Sequence, residues 1–91
     1  MFITLDIETN TSHYTIWIAV TQNVETCEML EHYSAETLEP LLRDSEGVIG
    51  NNIIGFDAPV LEKQWSLQIP TEKLKDTLVL SRLWNLSLIH I

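Results

Sequence analysis

Phe2-Ile3-Thr4-Leu5-Asp6-Ile7-Glu8 alternates residue by residue, with Ile3, Leu5 and Ile7 on one side and Phe2, Thr4, Asp6 and Glu8 on the other. A period of two belongs to a strand with one face in a core, and here the polar face ends in two carboxylates. A second alternation, His13 to Val20, sets Tyr14, Ile16, Ile18 and Val20 on one side. The polar Thr21-Gln22-Asn23 reads as a hairpin turn into a third strand, Val24 to Leu30. Three consecutive short strands imply an antiparallel meander.

Beyond the meander the period changes. In Ser34 to Asp44, Leu38, Leu41 and Leu42 fall at helical spacing, and either Ser34 or Thr37 can cap the start. Thr37 is the better cap, because it leaves Pro40 in the first turn, where a missing N–H costs nothing. Gly47-Val48-Ile49-Gly50 reads as a short buried strand entering an Asn51-Asn52 loop. Asp57-Ala58-Pro59 then reads as cap and first turn of a helix through Trp65, and Ile69-Pro70 breaks the run. A short strand near Leu74 and a last helix capped at Asp76-Thr77, carrying Leu80, Leu83 and Trp84 on one stripe, complete the order. Strands in a meander followed by alternating helices and strands point to an α/β fold with a mixed sheet flanked by helices. The ribonuclease H-like fold is one such arrangement.

The bulk composition limits function loosely. A chain of 91 residues, 45% hydrophobic and 20% charged, holds one globular domain at most. Its one cysteine, Cys27, excludes an intrachain disulfide and a cysteine-based zinc site, agrees with a reducing cytoplasm, and reads by default as a small apolar residue. No membrane span or secretory leader is evident. Thirteen acids against five bases give a net charge of −8, which argues against a nucleic-acid binder unless carboxylates hold divalent cations.

Strand spacing puts the α-carbons of Asp6 and Glu8 about 6.5 to 7 Å apart on one face. Two such charges repel by ~2 kcal/mol at an effective dielectric of about 20, and a bound cation removes that cost. Two-metal phosphodiester hydrolysis needs a carboxylate site of this kind, and Mg²⁺ suits its oxygen ligands. A pair of solvated acids at a strand end is the plainer reading of the same residues. Asp57 has an equally plain role as a helix N-cap, although capping and metal coordination need not exclude each other. Gly55 permits a tight backbone approach beside it.

Taken together, these segments resemble a known family. Leu5-Asp6-Ile7-Glu8-Thr9 is similar to the first exonuclease motif of the DEDD superfamily. Asn52-x4-Asp57, followed by Pro59 and Leu61, is similar to the second. Asp76-Thr77-Leu78-Val79-Leu80-Ser81-Arg82-Leu83 resembles the segment that follows in the proofreading domain of phage family A DNA polymerases. The resemblance implies a ribonuclease H-like 3′→5′ exonuclease domain using two Mg²⁺ or Mn²⁺ ions on the 3′ end of single-stranded DNA, joined to a downstream polymerase domain in the cytoplasm of an infected or host cell. Asp6 would bridge both ions, Glu8 would bind the ion that holds the attacking water, and Asp57 would help hold the second. Asn52, with Phe56 beside it, would contact substrate; Asn52 also reads simply as a turn former. Asp76 reads as a helix cap.

The family also requires a fourth acid and a nearby Tyr or His in a third motif, and nothing after Trp84 supplies them. Residues 1–91 therefore read as the N-terminal part of an incomplete domain with little or no activity by itself. A stand-alone DEDD exonuclease on RNA or DNA, or a non-catalytic structural or interaction remnant, are the rival readings. His13, His32 and His90 read as surface or internally satisfied histidines. Trp17, Trp65 and Trp84 read as core more readily than as base-stacking residues, and Lys63, Lys73, Lys75 and Arg82 as solvated.

Overall fold

A computed structural model describes residues 1–10 and 15–77. Strands β1 (Phe2–Thr9), β2 (Ile16–Asn23) and β3 (Met29–His32) form the antiparallel meander, and β4 (Gly47–Gly50) and β5 (Leu74–Asp76) run parallel to β1. The sheet order is β3-β2-β1-β4-β5. Helix α1 (Ala35–Asp44) leads into β4, and α2 (Ala58–Trp65) carries the chain from β4 towards β5. This is a small α/β fold on a mixed sheet. No helix among the described residues is long and apolar enough to cross a membrane.

The inward face of β1 is the expected one: Ile3, Leu5 and Ile7 are buried with Leu38 and Leu42 of α1, Val48 of β4, and Leu61 of α2. Because both helices join this single cluster, they cover the same face of the sheet. Phe2, Asp6 and Glu8 are exposed on the other.

The second strand departs from its expected register. Glu8 pairs with Ile18 but Thr9 pairs with Ile16, so Trp17 is an extra residue in β2. Such a bulge reverses the inside-outside phase of the strand. Ile16, Ala19 and Thr21 are buried, while Ile18 and Val20, expected inside, are only half-buried. Trp17 itself is 61% exposed, which overturns its reading as core. Trp65 does pack against the core. His13, Tyr14, His90 and the expected helix with Leu80, Leu83 and Trp84 lie outside the described residues.

The hairpin turn also lies further along than expected. Thr21-Gln22-Asn23 remains strand, and the chain reverses over Val24 to Thr26 because Asn23 Oδ1 accepts the amide N–H of Glu25 (2.9 Å) and of Thr26 (3.2 Å). Cys27 follows with φ 64° and is exposed, not a packed apolar residue. The third strand is accordingly Met29–His32 in place of Val24 to Leu30.

Thr37 does not cap α1. The helix starts at Ala35, with Ser34 at the boundary and Pro40 inside, at an exposed position. Thr37 is engaged elsewhere: its Oγ1 lies 3.0 Å from His32 Nδ1, and Thr21 Oγ1 lies 2.9 Å from His32 Nε2. Two hydroxyls thus satisfy a buried imidazole and tie β2, β3 and α1 together. Burial lowers the His32 pKa from 6.5, keeping the ring neutral. Lys73 is not merely solvated either. Its ammonium donates to the carbonyls of Leu42 (3.1 Å) and Arg43 (3.0 Å), at the end of α1 where the helix dipole favours a cation.

Candidate functional site

The parallel pairing of β1 with β4 spans only Phe2 to Thr4. From Leu5 onward no described strand pairs with that side of β1, at the carboxyl ends of the parallel strands, where open α/β sheets usually bind their ligands. A crevice of about 410 Å³ lies there, lined by Thr4, Leu5, Asp6, Ile49, Gly50, Asn51 and Thr77. A larger depression of about 610 Å³ runs between the start of α2 and Gln68–Thr71, but its one carboxylate, Glu62, accepts a hydrogen bond from the Gln68 amide.

Asp57 reaches that edge of β1. Its Oδ2 accepts the backbone N–H of Ile7, between Asp6 and Glu8 in the chain, at 3.2 Å. The expected N-cap bond is not made: Asp57 already has helical torsions (φ −61°, ψ −48°) and its side chain caps nothing. Helix α2 is entered through a π-helical turn, Ile53–Asp57, that carries the carboxylate to β1.

Several tight contacts shape this turn. A Cβ on Gly50 would stand 3.0 Å from the Leu5 carbonyl oxygen and 3.0 Å from Ile53 Cβ, so a larger residue at the exit from β4 would press on both. Asn52 adopts left-handed torsions (φ 61°), as its turn-former reading requires, and its carbonyl accepts the Phe56 N–H at 2.9 Å. A Cβ on Gly55 would lie 2.6 Å from Asn52 Oδ1, which is the tight approach expected there. Phe56 packs against the core.

The residue that sequence reasoning undervalued is Asp76. It is 4% exposed, and its two oxygens accept the N–H groups of Asn52 (3.0 Å) and Ile54 (3.0 Å). It anchors the turn that delivers Asp57, while the helix it was expected to cap lies outside the described residues. Its partners lie 24 and 22 residues away in the chain, so no local spacing announces the role.

Electrostatics link these acids. Asp57 is 3% exposed, and burial pushes its pKa up from 3.8 to about 6. The Ile7 N–H opposes that rise, while the charges of Asp6 and Asp76 add to it. Asp6 is exposed on the crevice wall, and Glu8, two residues along, is exposed on the open face. Among the described residues no three His, Cys, Asp or Glu side chains close into a chelate around one point. Asp6 and Asp57 are therefore electrostatic neighbours, with Glu8 at the same end of the sheet. The donors are all hard oxygens, the ligand type that small divalent cations take, but as placed they do not form a closed set.

No protein-family model matches the chain, and no curated protein is significantly similar to it.

Proposed function

We propose that this chain is the N-terminal part of a DEDD-type, ribonuclease H-like 3′→5′ exonuclease domain of the kind found in phage family A DNA polymerases, removing 3′-terminal nucleotides from single-stranded DNA. The observation that carries the reading is the bond from the Ile7 amide to Asp57. It joins an acid 50 positions downstream to the backbone between Asp6 and Glu8, which brings the three acids to the same end of the sheet. The three-stranded meander followed by helix and parallel strand supports the same assignment.

In this reading Asp6, Asp57 and Glu8 would be the residues that hold the divalent cations. Bound Mg²⁺ or Mn²⁺ supplies an activated water and charge stabilisation at the leaving oxygen. The chain's own contribution is positional. The Ile7 N–H orients Asp57, the Asp76 carboxylate fixes the turn behind it, and Asp6 faces the crevice that admits the terminal phosphate. The water oxygen forms a new bond to phosphorus and the bond to the penultimate O3′ breaks. The proton lost by the water is balanced by one taken up by the departing oxygen. The products are a nucleoside 5′-monophosphate and a strand shorter by one residue.

A third motif with a fourth acid and a Tyr or His, together with a polymerase domain, would complete the site in a longer chain acting in the cytoplasm of an infected or host cell. A structural module without catalysis is the competing reading, favoured by the lack of a closed chelate among the described residues. The two separate by thermal unfolding: millimolar Mn²⁺ should raise the melting temperature, and Asp6→Ala should abolish the rise. An unchanged melting curve in the wild type would remove the metal site.

A further inference from the structure

We infer that Trp17 is the platform on which a base near the 3′ end of the bound strand stacks, a role that rests on the nuclease reading above. Trp17 is the extra residue of the β2 bulge, inserted between the partners of Glu8 and Thr9. Adjacent antiparallel strands lie about 4.5 to 5.5 Å apart, so the indole is anchored beside the end of β1 that carries the acids. It is 61% exposed, although burying an indole is worth several times more than burying a small side chain. A bulge next to a functional site commonly re-aims one side chain, and here it takes Trp17 out of the core alternation that Ile16, Ala19 and Thr21 follow.

The charge balance favours a stacked base as the occupant. Lys73 is committed to the end of α1, Arg43 sits 3.9 Å from Asp44, and Lys63 and Lys75 stand on separate elements. Among the described residues there is therefore no basic track along which phosphates could supply much affinity. A single strand is held instead by cation-bridged contact at the acids and by base stacking, which every base can make.

The test uses the 91-residue chain, 5′-labelled oligothymidylate, and Ca²⁺ as the divalent ion. Trp17→Ala should weaken binding roughly 5- to 100-fold, and Trp17→Phe should retain most of it. Oligothymidylate should quench tryptophan fluorescence in the wild type, and the quench should shrink in Trp17→Phe. The slope of log affinity against log salt should be shallow, no steeper than about −1. Melting temperature and its response to Mn²⁺ should be the same in Trp17→Phe as in the wild type. Equal affinity of Trp17→Ala and the wild type overturns the platform and leaves the nuclease reading standing. Mn²⁺ stabilisation without oligothymidylate binding also overturns the platform alone. Loss of both responses in the wild type removes the reading beneath it.

Discussion

Replacing Asp57 by Asn should stabilise the ion-free chain at neutral pH, an unusual outcome for a buried, hydrogen-bonded position. The folded pKa of Asp57 is about 6 against 3.8. Between those values the folded state binds more protons than the unfolded one, so stability falls as pH rises through the window and stays reduced above it. At 1.36 kcal/mol per pH unit the full penalty approaches ~3 kcal/mol, and relaxation around the buried carboxylate reduces it to on the order of 1 to 2 kcal/mol. The amide of the Asp57→Asn variant keeps an oxygen to accept the Ile7 N–H and carries no charge. The variant should therefore melt about 5 to 10 °C higher than the wild type at about pH 7.5 in the presence of chelator. At about pH 4 the two should converge.

Asp57→Ala provides the contrast. It removes the charge but strands the Ile7 N–H, at a cost of about 1 to 3 kcal/mol, so it should lose the gain seen with Asn. Thermal and urea unfolding across about pH 4 to 8 measure all three chains, and comparison with Asp57→Asn cancels the titration of groups that do not interact with Asp57. Mn²⁺ should raise the wild-type melting temperature more than that of Asp57→Asn. An Asn variant no more stable than wild type at neutral pH, or a difference that does not vary with pH, would refute the account of a carboxylate disfavoured by burial, and secondarily by Asp6, at the end of β1.

The remaining expectations concern the scaffold around that acid. Asp76→Ala strands two amides and should cost about 2 to 4 kcal/mol, while Asp76→Asn keeps one acceptor and should cost less. Both should blunt the Mn²⁺ response, as read by melting with and without the ion. His32 titrates in the opposite sense to Asp57: its folded pKa lies below 6.5, so its contribution is complete above that pH and is lost as pH falls through the folded value. His32→Ala should destabilise the chain by about 2 to 3 kcal/mol and flatten that acid limb in urea titrations.

What the sequence made legible, and what it hid, follows from the range of the interactions involved. The faces of β1 were readable because alternation is written in adjacent residues, and β4 and β5 were readable as short runs between breakers. The phase of β2 was not, because a bulge is decided by pairing with Glu8 and Thr9, and nothing within Ile16–Val20 marks Trp17 as the extra residue. The start of α1 failed for a related reason: Thr37 is the better local cap, but His32 needs its hydroxyl, and a buried imidazole outweighs a Pro40 at an exposed site. The candidate site divides in the same way. Asp6 and Glu8 declare themselves by spacing, whereas the partners of Asp57 and Asp76 lie 22 to 50 positions away. An acid that serves a distant backbone amide looks, in one dimension, like a helix cap. The distinction is physical: a cap is satisfied by its own first turn, while Asp57 leaves that turn uncapped and commits its carboxylate to β1. That choice strengthens the link between two elements but buries a carboxylate beside Asp6, a cost that the cation of the proposed nuclease reading would offset.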